Sequence, residues 1–117
     1  MMNVKLQRSP KKTHKWRVTF DDGKQVHFGA KGYSDYTLHG DPHRMRRYVK
    51  RHGGQVSDMN VFDVQRHMLR VRRSTKENWS AKGLRTPGFW SRWLLWSHPS
   101  LVKAKRFMAK TFNVRFI

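Results

Sequence analysis

The side chains with the clearest chemical use in this sequence are cations. Arg44, Arg46, Arg47, Lys50 and Arg51 crowd one short stretch between Asp41 and Gly53. Guanidinium forks and ammonium points at that density suit phosphate oxygens, contacted along a backbone without regard to base identity. Lys11, Lys12, Lys15 and Arg17 on the N-terminal side, and Arg66, Arg70 and Arg73 on the other, extend the set. All twelve form a candidate surface for nucleic acid or for an acidic protein partner. A second candidate is the triplet Trp90, Trp93 and Trp96. It could plug into a partner or a membrane interface, or it could be the domain's own core. A small chain needs its largest side chains to fold, which favours the core for Trp93 and Leu94. Trp90 and Trp96 stay open between interface and core.

Other chemistries find little support. His39 and His43 are four apart, but Pro42 lies between them at a helix start, so they need not share a face. His14 and His27 could approach across a hairpin. Without cysteine and with few carboxylates, no metal site is expected, and the histidines serve as extra positive charge below about pH 6.5. Asp21, Asp22, Asp35, Asp41, Asp58, Asp63 and Glu77 are scattered, leaving few carboxylate pairs for acid–base work or Mg²⁺. Nothing sets a nucleophile beside a base. The expectation is no enzyme, no cofactor and no small-molecule substrate. Asn78-Trp79-Ser80 matches a glycosylation sequon, which means little without a secretory signal. No helix-turn-helix, zinc-finger spacing or ribonucleoprotein aromatic motif is present, so base-specific readout is not expected.

The elements that must carry these residues follow from periodicity and punctuation. Trp16, Val18 and Phe20 alternate with Lys15, Arg17 and Thr19, and Val26 and Phe28 continue the pattern beyond Asp21-Asp22-Gly23. Parity decides the register. A two-residue loop would put the two apolar sets on opposite faces, whereas a three-residue loop with Gly23 left-handed pairs Val18 with Val26 and Trp16 with Phe28. Lys15, Arg17 and Lys24 would then lie on the wet face. Residues 30–40 read as an ordered loop that buries Tyr33, Tyr36 and Leu38. Asp41 caps a helix with Pro42 in its first turn, Met45, Tyr48, Val49 and His52 on one face, and Gly53-Gly54 at its end. A second helix is predicted from Ser57 or Asp58 to about Arg73, with Phe62, Gln65, Met68, Leu69 and Arg72 on one face, flanked by Val61 and Val64. Residues 74–86 connect to an apolar helix, Pro87 to Ser97, whose middle keeps only Ser91 and Arg92 polar. A last helix spans 99–112, with Ser97 as candidate cap and Leu101, Ala104, Met108, Ala109 and Phe112 as its stripe. Val114 to Ile117 alternates and can add a strand to the hairpin.

The expected fold class is therefore α+β: a small N-terminal antiparallel hairpin packed with three to four short helices, plus that C-terminal strand. A chain of 117 residues is one domain by size. Residues 1–14 mix Lys, Arg, Ser and Pro and read as a flexible basic arm, leaving 15–117 as the folded part. Lys and Arg number 26 against 7 acids, a formal net charge of +19. Such self-repulsion is relieved by an anionic surface: nucleic acid, an acidic protein or a membrane face. A ribosomal role fits the charge but sits poorly with five Trp. Absent cysteine fits a reducing interior, and neither a signal peptide nor a membrane span is expected.

Several strings taken together resemble a known family. They are FGAKGYSDYTLH at 28–39, Asp41-Pro42, YVKRH at 48–52, ENWS at 77–80 and GFWSRWLLW at 88–96. The set is similar to small basic uncharacterised proteins of large eukaryotic DNA viruses, the chlorovirus and mimivirus-like group, over roughly 15–110. The resemblance implies a virion setting and supplies no catalytic residues. Against the family's pattern, 53–75 reads as an inserted helix. The resulting expectation is a non-enzymatic structural virion protein, a minor capsid or internal component at the inner capsid surface. Its basic faces would bridge acidic capsid proteins or packaged DNA. The alternative is a sequence-nonspecific nucleic-acid-binding protein acting through phosphate contacts, with membrane-surface contact less favoured.

Overall fold

The computed structural model describes residues 1–57 and 62–117. Its architecture is α+β: a four-stranded mixed sheet against which a set of short helices packs. The hairpin is as parity requires. Strand β2 (His14–Phe20) pairs antiparallel with β3 (Gln25–Ala30), with Val18 opposite Val26 and Trp16 opposite Phe28. Gly23 closes the loop at φ +87° and donates its N–H to the Phe20 carbonyl.

Residues 1–14 are not a flexible arm. Met2–Arg8 form strand β1, antiparallel to β2 and parallel to β4 (Val114–Phe116), in the order β3-β2-β1-β4. The physical reason is a period-two pattern inside a basic composition: Val4 is fully buried and Leu6 packs against the core, while Asn3, Lys5 and Gln7 face the other way. The C-terminal strand does join the sheet, although on β1 rather than on the hairpin itself. The sheet's polar face carries Lys5, Arg17, His27 and Arg115 at alternate positions.

The helices cover the apolar face. Short α1 (Tyr36–His39) precedes α2 (Pro42–Arg51), which Asp41 caps by accepting from the N–H groups of His43 and Arg44. Met45, Tyr48 and Val49 are buried, as the periodicity predicts. The next helix, α3, is only Val64–Leu69, shorter than expected. Asp63 caps it, and Phe62 stands 83% exposed instead of on the apolar face. The expected start at Asp58 and the flanking Val61 lie outside the described residues. The segment is nonetheless built into the fold. Val64 and Met68 are buried, Tyr36 donates to Gln65, and Gln65 Nε2 donates to the Ser97 carbonyl at 2.7 Å.

Helix α4 (Pro87–Trp90) widens into a π-helical turn, Ser91–Leu95, and α5 (Leu101–Phe112) follows. Ser100, not Ser97, caps α5, because Ser97 is buried with its hydroxyl donating to the Trp93 carbonyl. Along α5, Ala104 and Met108 are buried while Ala109 is exposed. Trp79, Trp90 and Trp93 are buried, and each indole N–H has an acceptor: Glu77, the Leu84 carbonyl and the Trp79 carbonyl. That satisfaction is what lets three indoles share one interior. Arg92, expected among the polar residues of this helix, lies among them with no exposed surface.

Candidate functional site

At one end of the sheet, the loop after β3, helix α2 and the π-helical turn enclose a cavity of about 310 Å³. Helix α2 supplies Arg44, Tyr48 and Arg51, which straddle the border between its charged and apolar faces, and its C-cap residue His52 follows them. Strand β2 supplies Lys15, the loop Tyr33, Ser34 and Asp35, and the Trp-rich segment Ser91, Leu95 and Trp96.

The floor of the cavity is an ion pair. Lys15 Nζ donates to Asp35 Oδ2 at 2.7 Å, with the two side chains 11% and 3% exposed. Lys15 is thus not on a wet face. Gly29, opposite it on β3, sits at φ +77°, and a Cβ there would stand 2.8 Å from Leu95 and 3.5 Å from the Lys15 stem. Only glycine leaves that space, and the loop then folds over Lys15. Asp35 also caps α1 through the Thr37 N–H at 2.9 Å and accepts from the Thr37 hydroxyl. Replacing Asp35 with Ala should lower unfolding stability by about 2–4 kcal/mol, since it removes a cap and strands a buried ammonium. Urea unfolding measures this. Double replacement, Asp35→Ala with Lys15→Met, should recover part of the loss, and no recovery would mean that the pair is not the cause.

The wall is aromatic. Tyr48 stacks on Trp96 at 4.3 Å with planes 3° apart, and on His52 at 4.1 Å. Burial pushes the Tyr48 phenol well above its ordinary range, with the Glu77 charge adding to it. His52 Nδ1 is in turn 3.1 Å from Glu77 Oε2. Tyr33 stands at the rim, 73% exposed, and Leu38 is 70% exposed, so of the three loop residues expected to be buried only Tyr36 is.

The sequence-nominated cations are distributed over several surfaces. Lys15, Arg44 and Arg51 line the cavity, while Arg47 is exposed elsewhere on α2. Arg46 lies half-buried with Nη2 donating to the Ser57 carbonyl at 2.8 Å, and Lys50 is exposed on the same helix. Arg17 lies on the polar sheet face, Lys11 and Lys12 in the β1–β2 turn, and Arg66, Arg70 and Arg73 on or after α3. Trp90 and Trp93 are core, whereas Trp96 is half-buried in the cavity wall. Among the histidines, burial lowers the pKa of His27, His39 and His98, so these three add charge only at lower pH than a free imidazole. His14 and His27 approach at 6.2 Å between rings, and no group of three metal-ligating side chains occurs among the described residues. No helix among them is long and apolar enough to cross a membrane.

Periodicity could not assemble Tyr33, Ser34, Asp35, Tyr48, His52, Ser91 and Leu95 into one cavity. The usable signals were local: glycines at 29 and 32 and an Asp two residues before Thr37.

A model of a family of unknown function (DUF5754) matches residues 4–52. That span holds most of β1, all of β2 through α2, and every cavity residue except Ser91, Leu95 and Trp96. No match is found among curated protein sequences or among solved structures.

Proposed function

We propose that this chain is a non-enzymatic structural protein that binds nucleic acid through its phosphates, as an internal component of a large DNA virus particle. The virion setting rests on the sequence resemblance. Phosphate binding rests on one observation: even if every acid were matched with one cation, 19 positive charges would remain. Arg44, Arg47 and Arg51 display part of that excess from the exposed side of a single helix. The capped helix spares the backbone an ordering cost on binding, leaving only that of the side chains.

The test is a salt titration against a random-sequence duplex. Log K should fall linearly with log[salt], with a slope reflecting several phosphate contacts. Each contact contributes roughly 0.9 to the slope and about fivefold in affinity at 0.15 M salt. Replacing Arg44, Arg47 and Arg51 together by Gln should therefore reduce the slope by about 2.7 and the affinity roughly 100-fold. A slope near zero for the parent protein would sink the reading. Tight, salt-sensitive binding to an acidic capsid protein in place of DNA would transfer the basic surface to that partner.

A further inference from the structure

We propose that the cavity between the β3 loop, α2 and the Trp-rich turn holds one nucleotide, a planar base with its phosphate. This rests on the phosphate-binding reading and names where an unstacked base would go. Three features of the cavity point to that ligand class.

The first is charge. Lys15, Arg44 and Arg51 line the cavity, and the single carboxylate among its lining residues, Asp35, is already paired with Lys15. Arg44 and Arg51 are exposed and two helical turns apart, roughly 10 Å along α2. They are placed to hold phosphate oxygens at the mouth, where a guanidinium fork is most effective. The second feature is size. About 310 Å³ corresponds to roughly ten waters, far more than one inorganic anion fills, and it lies at the lower end of small-molecule sites. The third is the lining between the cations. Tyr33 leaves most of its ring in solvent at the rim, although its loop is held by Lys31 N–H to the Thr13 carbonyl and Tyr33 N–H to the Ala30 carbonyl. An ordered, exposed ring beside a cationic cavity offers a π-face to a base. The exposed Ser34 hydroxyl can meet a base edge at the mouth, and Leu95 and Trp96 supply apolar wall inside.

An apolar ligand would leave Arg44 and Arg51 unanswered, and a duplex keeps its bases stacked out of reach. The expected ligand is an unpaired nucleotide, either in a single strand or as the free mononucleotide.

The experiment compares an octamer of thymidylate with an octamer of abasic deoxyribose phosphate of the same charge, by fluorescence anisotropy. Thymidylate should bind about five- to hundredfold tighter, with the two salt slopes equal. Tyr33→Ala, at an exposed site that folding does not need, should bring thymidylate down towards the abasic value without changing the slope, and Tyr33→Phe should keep the difference. Competition by thymidine monophosphate would mark the free nucleotide as ligand, and its failure to compete would mark the strand. Equal binding of the two octamers with a steep slope would overturn the base site and leave phosphate binding standing. Binding of neither octamer by a protein that still binds duplex would overturn the base site alone, and binding of neither octamer nor duplex would overturn both.

Discussion

Replacing Arg92 by methionine is expected to lower the stability of the fold by about 3–5 kcal/mol, a large share of the 5–15 kcal/mol typical of a domain. The guanidinium has no exposed surface. Its partners are main-chain carbonyls: Nη1 donates to Trp96 at 2.9 Å, and Nη2 donates to Met68 at 2.6 Å and reaches Val71 at 3.4 Å. Trp93 and Trp79 place their rings 4.3 and 5.3 Å from the guanidinium carbon. Burial lowers its pKa to about 10, so it remains charged at neutral pH. A buried ion pair can be replaced on both sides by apolar groups at little cost, but carbonyl partners cannot be mutated away. Methionine fills much of the volume yet leaves those carbonyls short of donors. Because Met68 and Val71 belong to α3 and the turn after it, the loss should release that segment first. Amide exchange at residues 64–71 would rise before global unfolding. A urea midpoint equal to that of the parent protein would refute this account, and Arg92→Lys should fall between the two, since one ammonium cannot span the same carbonyls.

Deleting residues 2–8 is expected to abolish folding. Strand β1 lies inside the sheet, hydrogen-bonded to β2 on one side and β4 on the other. Its loss removes two ladders, uncovers the core beneath Val4 and leaves two bare strand edges that invite aggregation. Far-UV circular dichroism and amide dispersion should show an unfolded or aggregated chain. If these residues were only a mobile basic arm, the truncated protein would keep its melting temperature. The milder change Val4→Asp should act in the same direction by placing a charge at a position with no solvent.

These two cases show where sequence reasoning reaches its limit. The hairpin register was legible because side chains alternate with period two, so only an odd loop reunites the apolar sets. Helix α2 was legible because Asp41, Pro42 and the Gly pair punctuate it and its apolar positions recur at helical spacing. Strand β1 carries an equally regular alternation, Met2, Val4 and Leu6 against Asn3, Lys5 and Gln7, but one that its charge obscures. Its partners lie at opposite ends of the chain, and only closure of the sheet shows that it is internal. Arg92 reads as a polar break in an apolar helix. Burial of a cation depends on acceptors far away in sequence, here the carbonyls of 68 and 71, which no local pattern announces.

The cavity belongs to the same class. The sequence by itself determined the excess of positive charge, the α+β class, the hairpin register and the sidedness of α2, because these follow from composition, parity and helical period. Tertiary structure alone decided that Lys15 turns inward to Asp35, that Trp90 and Trp93 are core while Trp96 is wall, and that Arg44 and Arg51 share a cavity with Tyr33. Those outcomes depend on long-range packing, such as Leu95 against Gly29 and Tyr48 against Trp96. Side chains that meet this way owe their proximity to the closed fold rather than to their spacing in the chain.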